Sequence, residues 1–385
     1  MKKLEEKLKA RSAADALRTL TVKKGLADFY SNDYLGLAGD KELQEQIYQE
    51  YKNASRIPFV NGSSGSRLLS GHHDYFQQVE SELSGLYRAE KSLIINSGYN
   101  ANLTILSTVP QKGDTILMDE LAHASLKDGA RLSFAKKYSF RHNDLQDLEK
   151  KLNKSEGEKF VVTESVFSMD GDLAPLQQLV RICEKYSAHL ILDEAHSTGI
   201  FNEDGAGLSV LLGLHDKIFA RIYTFGKAVG QHGAVITGSA SLIDFLINFA
   251  RPFIYTTALP LHSLCSIRTA LKYIKNNPKR REQLFENIRL FNSKVNIIHN
   301  KSDTFDKLTE SAIRIIPTPG NNVAKKFSRQ LEQRGFDVRP ILSPTVKQGQ
   351  ERLRICIHSS NNEEEISNLC NALTIITQEN LIDHL

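Results

Sequence analysis

Apolar and polar positions follow two different periods along this chain, and the change of period separates predicted strands from predicted helices. Short apolar runs predict buried strands, among them Thr115–Met118, Phe160–Thr163 and Leu190–Leu192. Between these runs the apolar residues recur at helical spacing, as in Ala124–Ser133 and Leu176–Tyr186. Buried strands that alternate with helices are typical of a mostly parallel sheet with helices on both faces. The pattern therefore predicts an α/β fold.

Further elements are predicted on both sides of this region. Pro58–Gly71 is rich in Gly and Ser and predicts a loop, and the charged stretch Asn276–Gln283 predicts the exit from a large domain. We therefore predict an N-terminal helical arm (1–45), a large domain (46–280) and a smaller α+β C-terminal domain (281–385). The other predicted strands and helices are Ser92–Asn96, Gly98–Val109, Ile222–Thr224, Gly233–Gly238, Leu261–Asn276, Ala312–Ile316, Val323–Arg334, Val338–Ile341, Leu353–Ile357 and a last helix from about Glu363.

Composition narrows the class of protein. Of the 385 residues, 41% are hydrophobic and 24% are charged, with a net charge of +4, which fits neither a disordered chain nor a nucleic-acid-binding one. The four cysteines are far apart and form no CxxC or Cys/His cluster, so we expect no metal site and a reducing compartment. The first residues are charged and include no apolar h-region, so we expect no signal peptide there. No apolar run approaches the roughly 18 residues of a membrane span. A cytoplasmic protein without nucleic-acid or membrane partners is expected.

An aspartate stands at the end of one predicted strand, where ligands of open α/β sheets bind. Asp193 directly follows Leu190–Leu192, and His196 comes three residues later. A buried carboxylate needs a cationic partner, and a protonated pyridine nitrogen would be one. The alternative is that Asp193 caps the next helix.

A lysine follows the predicted strand Ile222–Thr224 in a turn of small residues. Lys227 could enter a closed pocket there, where burial makes a lysine amine nucleophilic enough for a Schiff base. The hydroxyl of Thr224 could bind a phosphate. A surface lysine in a glycine turn is the alternative.

Two further segments follow predicted strands. Gly98 and Tyr99 open a predicted helix, whose free N–H groups would suit a phosphate. His123 follows Thr115–Met118 and could stack on an aromatic cofactor. An ordinary capped helix and a structural histidine are the alternatives.

Ser168 and two arginines complete the set of candidates. Ser168 could donate a hydrogen bond to a ring oxygen, or it could belong to a turn built on Asp170-Gly171. Arg352 and Arg354 share one face of a predicted strand. Arg354 could bind a carboxylate bidentately, whereas we expect Arg352 to face solvent.

In their order along the chain, the helix start at Gly98, His123, Asp193 with His196, and then Lys227, the motifs resemble those of the α-oxoamine synthases, a family of fold-type-I enzymes that use pyridoxal 5′-phosphate (PLP). The resemblance extends over nearly the whole chain. The resemblance implies a homodimer with shared active sites that joins an amino acid to an acyl-CoA with loss of CO2. The matching stretches are SNDYLGLA, GSSGSRLLSG, SGYNAN, AHAS, TESVFSMDGD, LDEAHSTG, TFGKA, FARPFIYTTALP and ERLRI.

The resemblance also implies roles around the cofactor ring. Lys227 would form the Schiff base and then carry the Cα proton, and Asp193 would pair with the pyridinium nitrogen. His123 would stack on the ring. His196 and Ser168 would bond its phenolic oxygen.

Phosphate and substrate contacts follow from the same resemblance. Arg354 would bind the amino-acid carboxylate, and Arg18 and Thr345 would contact the acyl substrate. Phe76 stands at about the place where the family usually has a histidine. The phosphate would be held by Gly98, Tyr99 and Thr224, joined by Thr256 or Thr257 of the neighbouring subunit.

Overall fold

The computed structural model describes residues 2–22, 24–54, 61–298 and 311–382. Residues 58–60 of the predicted loop Pro58–Gly71 lie outside this part of the chain, and residues 61–71 form neither helix nor strand. The strands are, in chain order, β1 Ala27–Asp28, β2 Lys91–Ile95, β3 Thr115–Asp119, β4 Lys136–Phe140, β5 Lys159–Glu164, β6 Ala188–Asp193, β7 Ala220–Thr224, β8 Ala234–Gly238, β9 Ile313–Pro317, β10 Phe336–Asp337, β11 Arg339–Ile341 and β12 Arg352–Cys356.

Helices separate most of these strands. They are α1 Lys2–Ala13, α2 Lys41–Ala54, α3 Asp74–Leu86, α4 Gly98–Thr108, α5 Ala124–Leu132, α6 Leu145–Leu152, α7 Leu176–Lys185, α8 Leu208–Leu211, α9 Ala240–Phe249, α10 Arg251–Ile254, α11 Leu261–Asn276, α12 Lys279–Ile298, α13 Asn321–Gln333 and α14 Glu363–Ile382. Among the described residues, no helix is both long and apolar enough to cross a membrane.

The largest sheet has seven strands in the order β2-β8-β7-β6-β5-β3-β4. Strands β3 to β7 run parallel to one another, whereas β8 is antiparallel to both β7 and β2. Only residues 225–233 connect β7 to β8, which is too short for the crossover that a parallel pair requires. The adjacent strands β6 and β7 are parallel, so the residues that follow them emerge on the same side of the sheet, at the carboxyl ends of the strands. This end of the sheet is called the sheet edge below.

The centre of this sheet is apolar and closed to solvent. Ile116, Val162, Ile191, Ile222 and Ile236, from neighbouring strands, are buried and belong to one hydrophobic core that also includes residues of α4 and α5. Burial of apolar area, at roughly 25 cal/mol per Å², is the main stabilising contribution of such a core. The edge strand β4, KKYSF, is exposed over most of its length, and its two lysines disfavour pairing with another chain.

The chain forms two compact units. The larger unit comprises residues 35–167 and 173–280 and contains the seven-stranded sheet. The smaller unit comprises residues 1–34, 168–172 and 281–385. It contains an antiparallel sheet of order β11-β12-β9 and a parallel pair of β1 and β10. The division into an arm and two domains with boundaries at 45 and 280 stays a prediction.

The predicted α/β fold is confirmed, and the elements predicted from Thr115 to Leu192 are present with slightly shifted ends. Helices α2 and α3 were not predicted. In α2 the buried apolar residues are Leu43 and Ile47 within an otherwise polar sequence, so the apolar stripe is too narrow to stand out.

Candidate active site

Helix α4 begins at the edge of the sheet and presents its N-terminus there. Ser97 caps it, and the N–H groups of its first turn have no acceptor within the helix. A side chain at Gly98 would collide with Thr224, so the glycine keeps this approach open. The Tyr99 hydroxyl donates to Asp128 Oδ2 at 2.6 Å, which raises the pKa of Tyr99. Tyr99 is therefore available to a phosphate through its backbone rather than through its hydroxyl.

Thr224 and Lys227 stand at the end of β7. The Thr224 side chain is 7% exposed, and its Oγ1 atom is buried without a hydrogen-bond partner among the described residues. A buried hydroxyl without a partner is unfavourable by about 1–3 kcal/mol, which a ligand would relieve. Lys227 is half-buried in the turn that follows, where its carbonyl accepts from Gly230 N at 2.8 Å.

Asp193 ends β6, next to β7 in the sheet, and is 5% exposed. Its Oδ1 atom accepts from Ala195 N at 2.9 Å, and its Oδ2 atom accepts from Asn102 Nδ2 at 2.7 Å. Both oxygens are thus oriented by N–H donors of the protein. His196 is also buried, in the turn after Asp193.

His123 is the N-cap residue of α5. Its Nδ1 atom lies 2.7 Å from Ser125 Oγ and accepts from Ser125 N at 3.2 Å. Although the residue as a whole is exposed, desolvation by the surrounding protein lowers the pKa of His123. The charge of Asp193 opposes this shift and that of Lys227 adds to it, so both residues lie within electrostatic range of His123.

The residues at this edge fit PLP. A helix N-terminus and the orphaned Thr224 hydroxyl suit a phosphate, Asp193 suits a protonated ring nitrogen, and Lys227 supplies an amine. Thr256 lies beside the start of α4 of its own chain, where its Oγ1 accepts from Asn96 Nδ2 at 2.9 Å. Thr257 is exposed. A role for either threonine in a neighbouring subunit stays a prediction.

Arg354 lies in the smaller unit, on β12, and is 6% exposed. Its Nε donates to the carbonyl of Ser168 at 2.7 Å, and its Nη1 lies 2.9 Å from Cys356 Sγ. Its Nη2 donates to Asn32 Oδ1 at 2.9 Å and to the Tyr34 hydroxyl at 3.3 Å. All three guanidinium nitrogens therefore have protein partners.

The neighbouring arginine corrects one expectation. We expected Arg352 to face solvent, but it is 9% exposed and pairs with Asp170, so that expectation is wrong. Asp170 lies more than 180 positions earlier, and nothing local signals the pairing. The predicted acyl contacts do meet: Arg18 Nη2 donates to Thr345 Oγ1 at 3.0 Å, in an exposed position.

Asn102 and Ser125 belong to this site but were given no role from the sequence. Asn102 Nδ2 also donates to Ser125 Oγ at 2.9 Å, so the two residues connect Asp193 to His123. One signal was present: Asn102 lies one helical turn after Gly98, as a polar residue among apolar neighbours.

Comparison with known proteins shows which family the chain belongs to. A family model described as aminotransferase class I and II matches residues 24–373. The chain belongs to this family. An 8-amino-7-oxononanoate synthase from Lysinibacillus sphaericus is 35% identical over 98% of this chain and 95% of its own length.

Two solved structures are similar to this chain over nearly their whole length. Serine palmitoyltransferase from S. paucimobilis, with PLP and myriocin bound, has a TM-score of 0.86 at 26% identity and covers 98% of this chain and 97% of that one. 8-Amino-7-oxononanoate synthase from Francisella tularensis has a TM-score of 0.79 at 31% identity, with 94% and 100% covered. The prediction of a PLP-dependent enzyme of the acyltransferase type in this family is confirmed.

Proposed function

We propose that the protein is an 8-amino-7-oxononanoate synthase. It would condense L-alanine with pimeloyl-CoA, or with pimeloyl-acyl carrier protein, to give 8-amino-7-oxononanoate, the free thiol and CO2 in biotin biosynthesis. The observation that carries the proposal is that His123 lies within electrostatic range of both Asp193 and Lys227, at the sheet edge where α4 begins. The motifs SNDYLGL and GSSGSRLLSG and the curated relatives favour this member of the family.

The side chains at the sheet edge would hold the cofactor and move one proton. Gly98, Tyr99 and Thr224 would bind its phosphate, and the carboxylate of Asp193 would face its ring nitrogen. Bound PLP would supply an electron sink for negative charge at the substrate Cα. The Lys227 amine would take the Cα proton of alanine and later return one. His123 would lie against the ring and help to exclude water.

The remaining roles concern the substrates. Arg354 would bind the alanine carboxylate, and Arg18 with Thr345 would contact the acyl chain. A C–C bond forms between the alanine Cα and the thioester carbonyl, and the C–S bond breaks as the thiol leaves. The former alanine carboxylate then departs as CO2, and Cα takes a proton.

We also propose a homodimer with shared active sites, in which Thr256 or Thr257 reaches the phosphate of the other subunit. The exposure of Thr257 and of Tyr255, which is 74% exposed, supports this. Light scattering tests the dimer, and mixing Lys227→Ala with Thr256→Ala/Thr257→Ala subunits tests the sharing. Activity regained on mixing supports shared sites, and its absence contradicts them. The predicted cytoplasmic location belongs to the same proposal.

A substrate panel tests the reaction. Purified protein with PLP is offered alanine, glycine and serine, each with pimeloyl-, acetyl- and palmitoyl-CoA, and products are identified by mass. We expect release of CoA and CO2 with alanine and pimeloyl-CoA. A reaction with glycine and acetyl-CoA alone would instead indicate 2-amino-3-ketobutyrate CoA ligase. Failure of the wild type to take up PLP would indicate a non-catalytic protein of this fold.

Serine palmitoyltransferase is the second candidate. Its solved structure has a higher TM-score to this chain, 0.86, than the Francisella synthase, 0.79. The sequence identities run the other way, at 26% and 31%. Products with serine and palmitoyl-CoA in the same panel would favour this candidate.

A further inference from the structure

Helices α4 and α5 approach each other closely beside the sheet edge where the cofactor would bind. A Cβ atom on Gly129 of α5 would lie 2.8 Å from the carbonyl oxygen of Asn102 and 3.0 Å from Leu106 Cβ, both on α4. Only a glycine tolerates this contact without a shift of the helices. The contact places the Asn102 side chain, which is 2% exposed, between Ser125 and Asp193.

The hydrogen-bond donors among Asn102, Ser125 and His123 can be assigned one after another. The Asn102 amide nitrogen has two hydrogens, and it has two acceptors, Asp193 Oδ2 at 2.7 Å and Ser125 Oγ at 2.9 Å. Because Ser125 Oγ accepts from Asn102, its own hydrogen is available for His123 Nδ1 at 2.7 Å. That nitrogen also accepts from Ser125 N at 3.2 Å, so it carries no proton. The proton of a neutral His123 then lies on Nε2.

We propose that Asn102 is a positioning residue that connects the two groups facing the cofactor ring: it orients Asp193 directly and, through Ser125, holds His123 neutral with its proton on Nε2. The inference deepens the proposed function and rests on it for the meaning of both contacts. It accounts for a polar side chain that is buried between two helices of the apolar core.

Like these hydrogen bonds, desolvation of His123 favours the neutral ring, because it lowers the pKa of the imidazole. A helix contact in which the three side chains only filled space, without these hydrogen bonds, would need no particular tautomer. The tautomer of His123 is therefore the property that separates positioning from packing.

The first test needs neither cofactor nor substrate. The full chain is labelled with ¹⁵N-histidine, and the His123 signals are identified by their loss in His123→Gln. At pH 7.5 we expect protonated Nε2 and unprotonated Nδ1 in the wild type. In Ser125→Ala only the longer bond from the backbone N–H of position 125, at 3.2 Å, remains, and we expect a larger fraction of the ring with its proton on Nδ1. Ser125→Thr keeps the hydroxyl and is expected to retain the wild-type form. Protonated Nδ1 in the wild type, or the same tautomer in all three proteins, overturns the proposal.

The second test measures PLP affinity and the visible absorbance of the bound cofactor. Asn102→Leu keeps the volume of the side chain but removes both donors, and we expect PLP to bind about tenfold more weakly, with a shifted absorbance pH profile. Ser107→Ala is the control, because Ser107 lies on the same helix and its hydroxyl donates to Leu103 O at 2.6 Å, within α4 itself. An unchanged affinity and profile in Asn102→Leu contradict the role.

The two tests separate this inference from the proposed function. If the wild type binds no PLP, the proposed function fails, and the ¹⁵N experiment still decides whether Ser125 sets the tautomer of His123. If PLP binds and the substrate panel succeeds while the tautomer is insensitive to Ser125→Ala, only the inference fails.

Discussion

The sheet edge of the larger unit and the Arg354 cluster of the smaller unit differ in whether their polar groups have hydrogen-bond partners. The Arg354 cluster consists of Arg354, Ser168, Cys356, Asn32 and Tyr34. At the sheet edge, Thr224 Oγ1 has no partner among the described residues, and the N–H groups at the start of α4 have no acceptor within the helix. In the cluster, every nitrogen of Arg354 already has a protein partner. The first region can receive an anion without losing a bond, whereas the second must exchange bonds to do so.

The two regions should therefore bind a ligand in different ways, one through groups that are still unpartnered and the other by replacing existing hydrogen bonds. A ligand at the sheet edge satisfies groups that folding left unsatisfied, so its binding should depend strongly on single hydroxyls and N–H groups. A carboxylate at Arg354 competes with Asn32 and Tyr34, which share Nη2. Residues of the cluster should therefore affect both substrate binding and the stability of the fold, whereas Thr224 should affect ligand binding alone.

The largest expected effect concerns the amine at the sheet edge. Lys227→Ala should lower the condensation rate by more than about 10⁴-fold, because it removes both the nucleophile and the proton carrier. Borohydride should fix PLP to the wild type at Lys227, detected by peptide mass, and should not fix it to the variant. Lys217→Ala is the control, since Lys217 pairs with Glu184 at the surface at 3.0 Å. Equal labelling of Lys227→Ala would contradict the assignment.

The second prediction concerns the guanidinium of Arg354, whose nitrogens are already hydrogen-bonded. Arg354→Met should raise the KM for the amino acid by about 10²-fold, since a charge-assisted pair is lost. It should also lower the free energy of unfolding by about 1–3 kcal/mol, because the Ser168 carbonyl and Asn32 lose a donor. Steady-state kinetics and urea unfolding measure the two effects.

Arg352→Met is the matched control for this prediction. Arg352 is equally buried on the same strand but pairs with Asp170. Its loss should affect stability and leave the KM for the amino acid unchanged. A rise of KM in both variants would mean that net charge, rather than the Arg354 cluster, determines substrate affinity.

The same two regions differ in how far the sequence predicts them. Asp193, Thr224 and Lys227 follow buried apolar strands, and the parallel order of β6 and β7 places them at one edge, so local patterns suffice. The partners of Arg354 come from residues 32, 34 and 168, at separations of up to 322 positions. No local period encodes such contacts, which is why the burial of Arg352 was also missed.

Phe76 and Asn102 show a further limit of the sequence. Phe76 departs from the residue usual in the family. In the structure it is a core residue of α3, and the Arg67 Cζ atom lies 3.8 Å from the centroid of its ring. The sequence pattern places Asn102 only near the start of a helix. Its role depends on the close contact of α4 with Gly129, which spacing along one helix does not reveal.

The third prediction tests the unsatisfied hydroxyl. Thr224→Val keeps the shape of the side chain, and it should weaken PLP binding by about tenfold while leaving the stability of the cofactor-free protein unchanged or slightly higher. Thr104→Val is the control, because Thr104 Oγ1 is also buried without a described partner but lies inside α4. Equilibrium dialysis and thermal unfolding measure the two quantities. Equal loss of affinity in both variants would contradict a phosphate contact at Thr224.

The smallest expected effect is the pH dependence of stability at His123. The pKa of His123 is lowered below the ordinary value of 6.5, so below about pH 6.5 the unfolded chain binds more protons here than the folded chain does. The neutral ring therefore stabilises the fold fully above pH 6.5, and this contribution falls as the pH drops towards the lowered pKa. Between pH 7.5 and 5.5 the wild type should lose more stability than His123→Gln, by less than about 1 kcal/mol, since solvent screens a residue this exposed. Urea unfolding of the cofactor-free proteins at both pH values measures the difference. A larger loss in His123→Gln would mean that the charged ring is favoured at the sheet edge, and it would contradict the lowered pKa of His123.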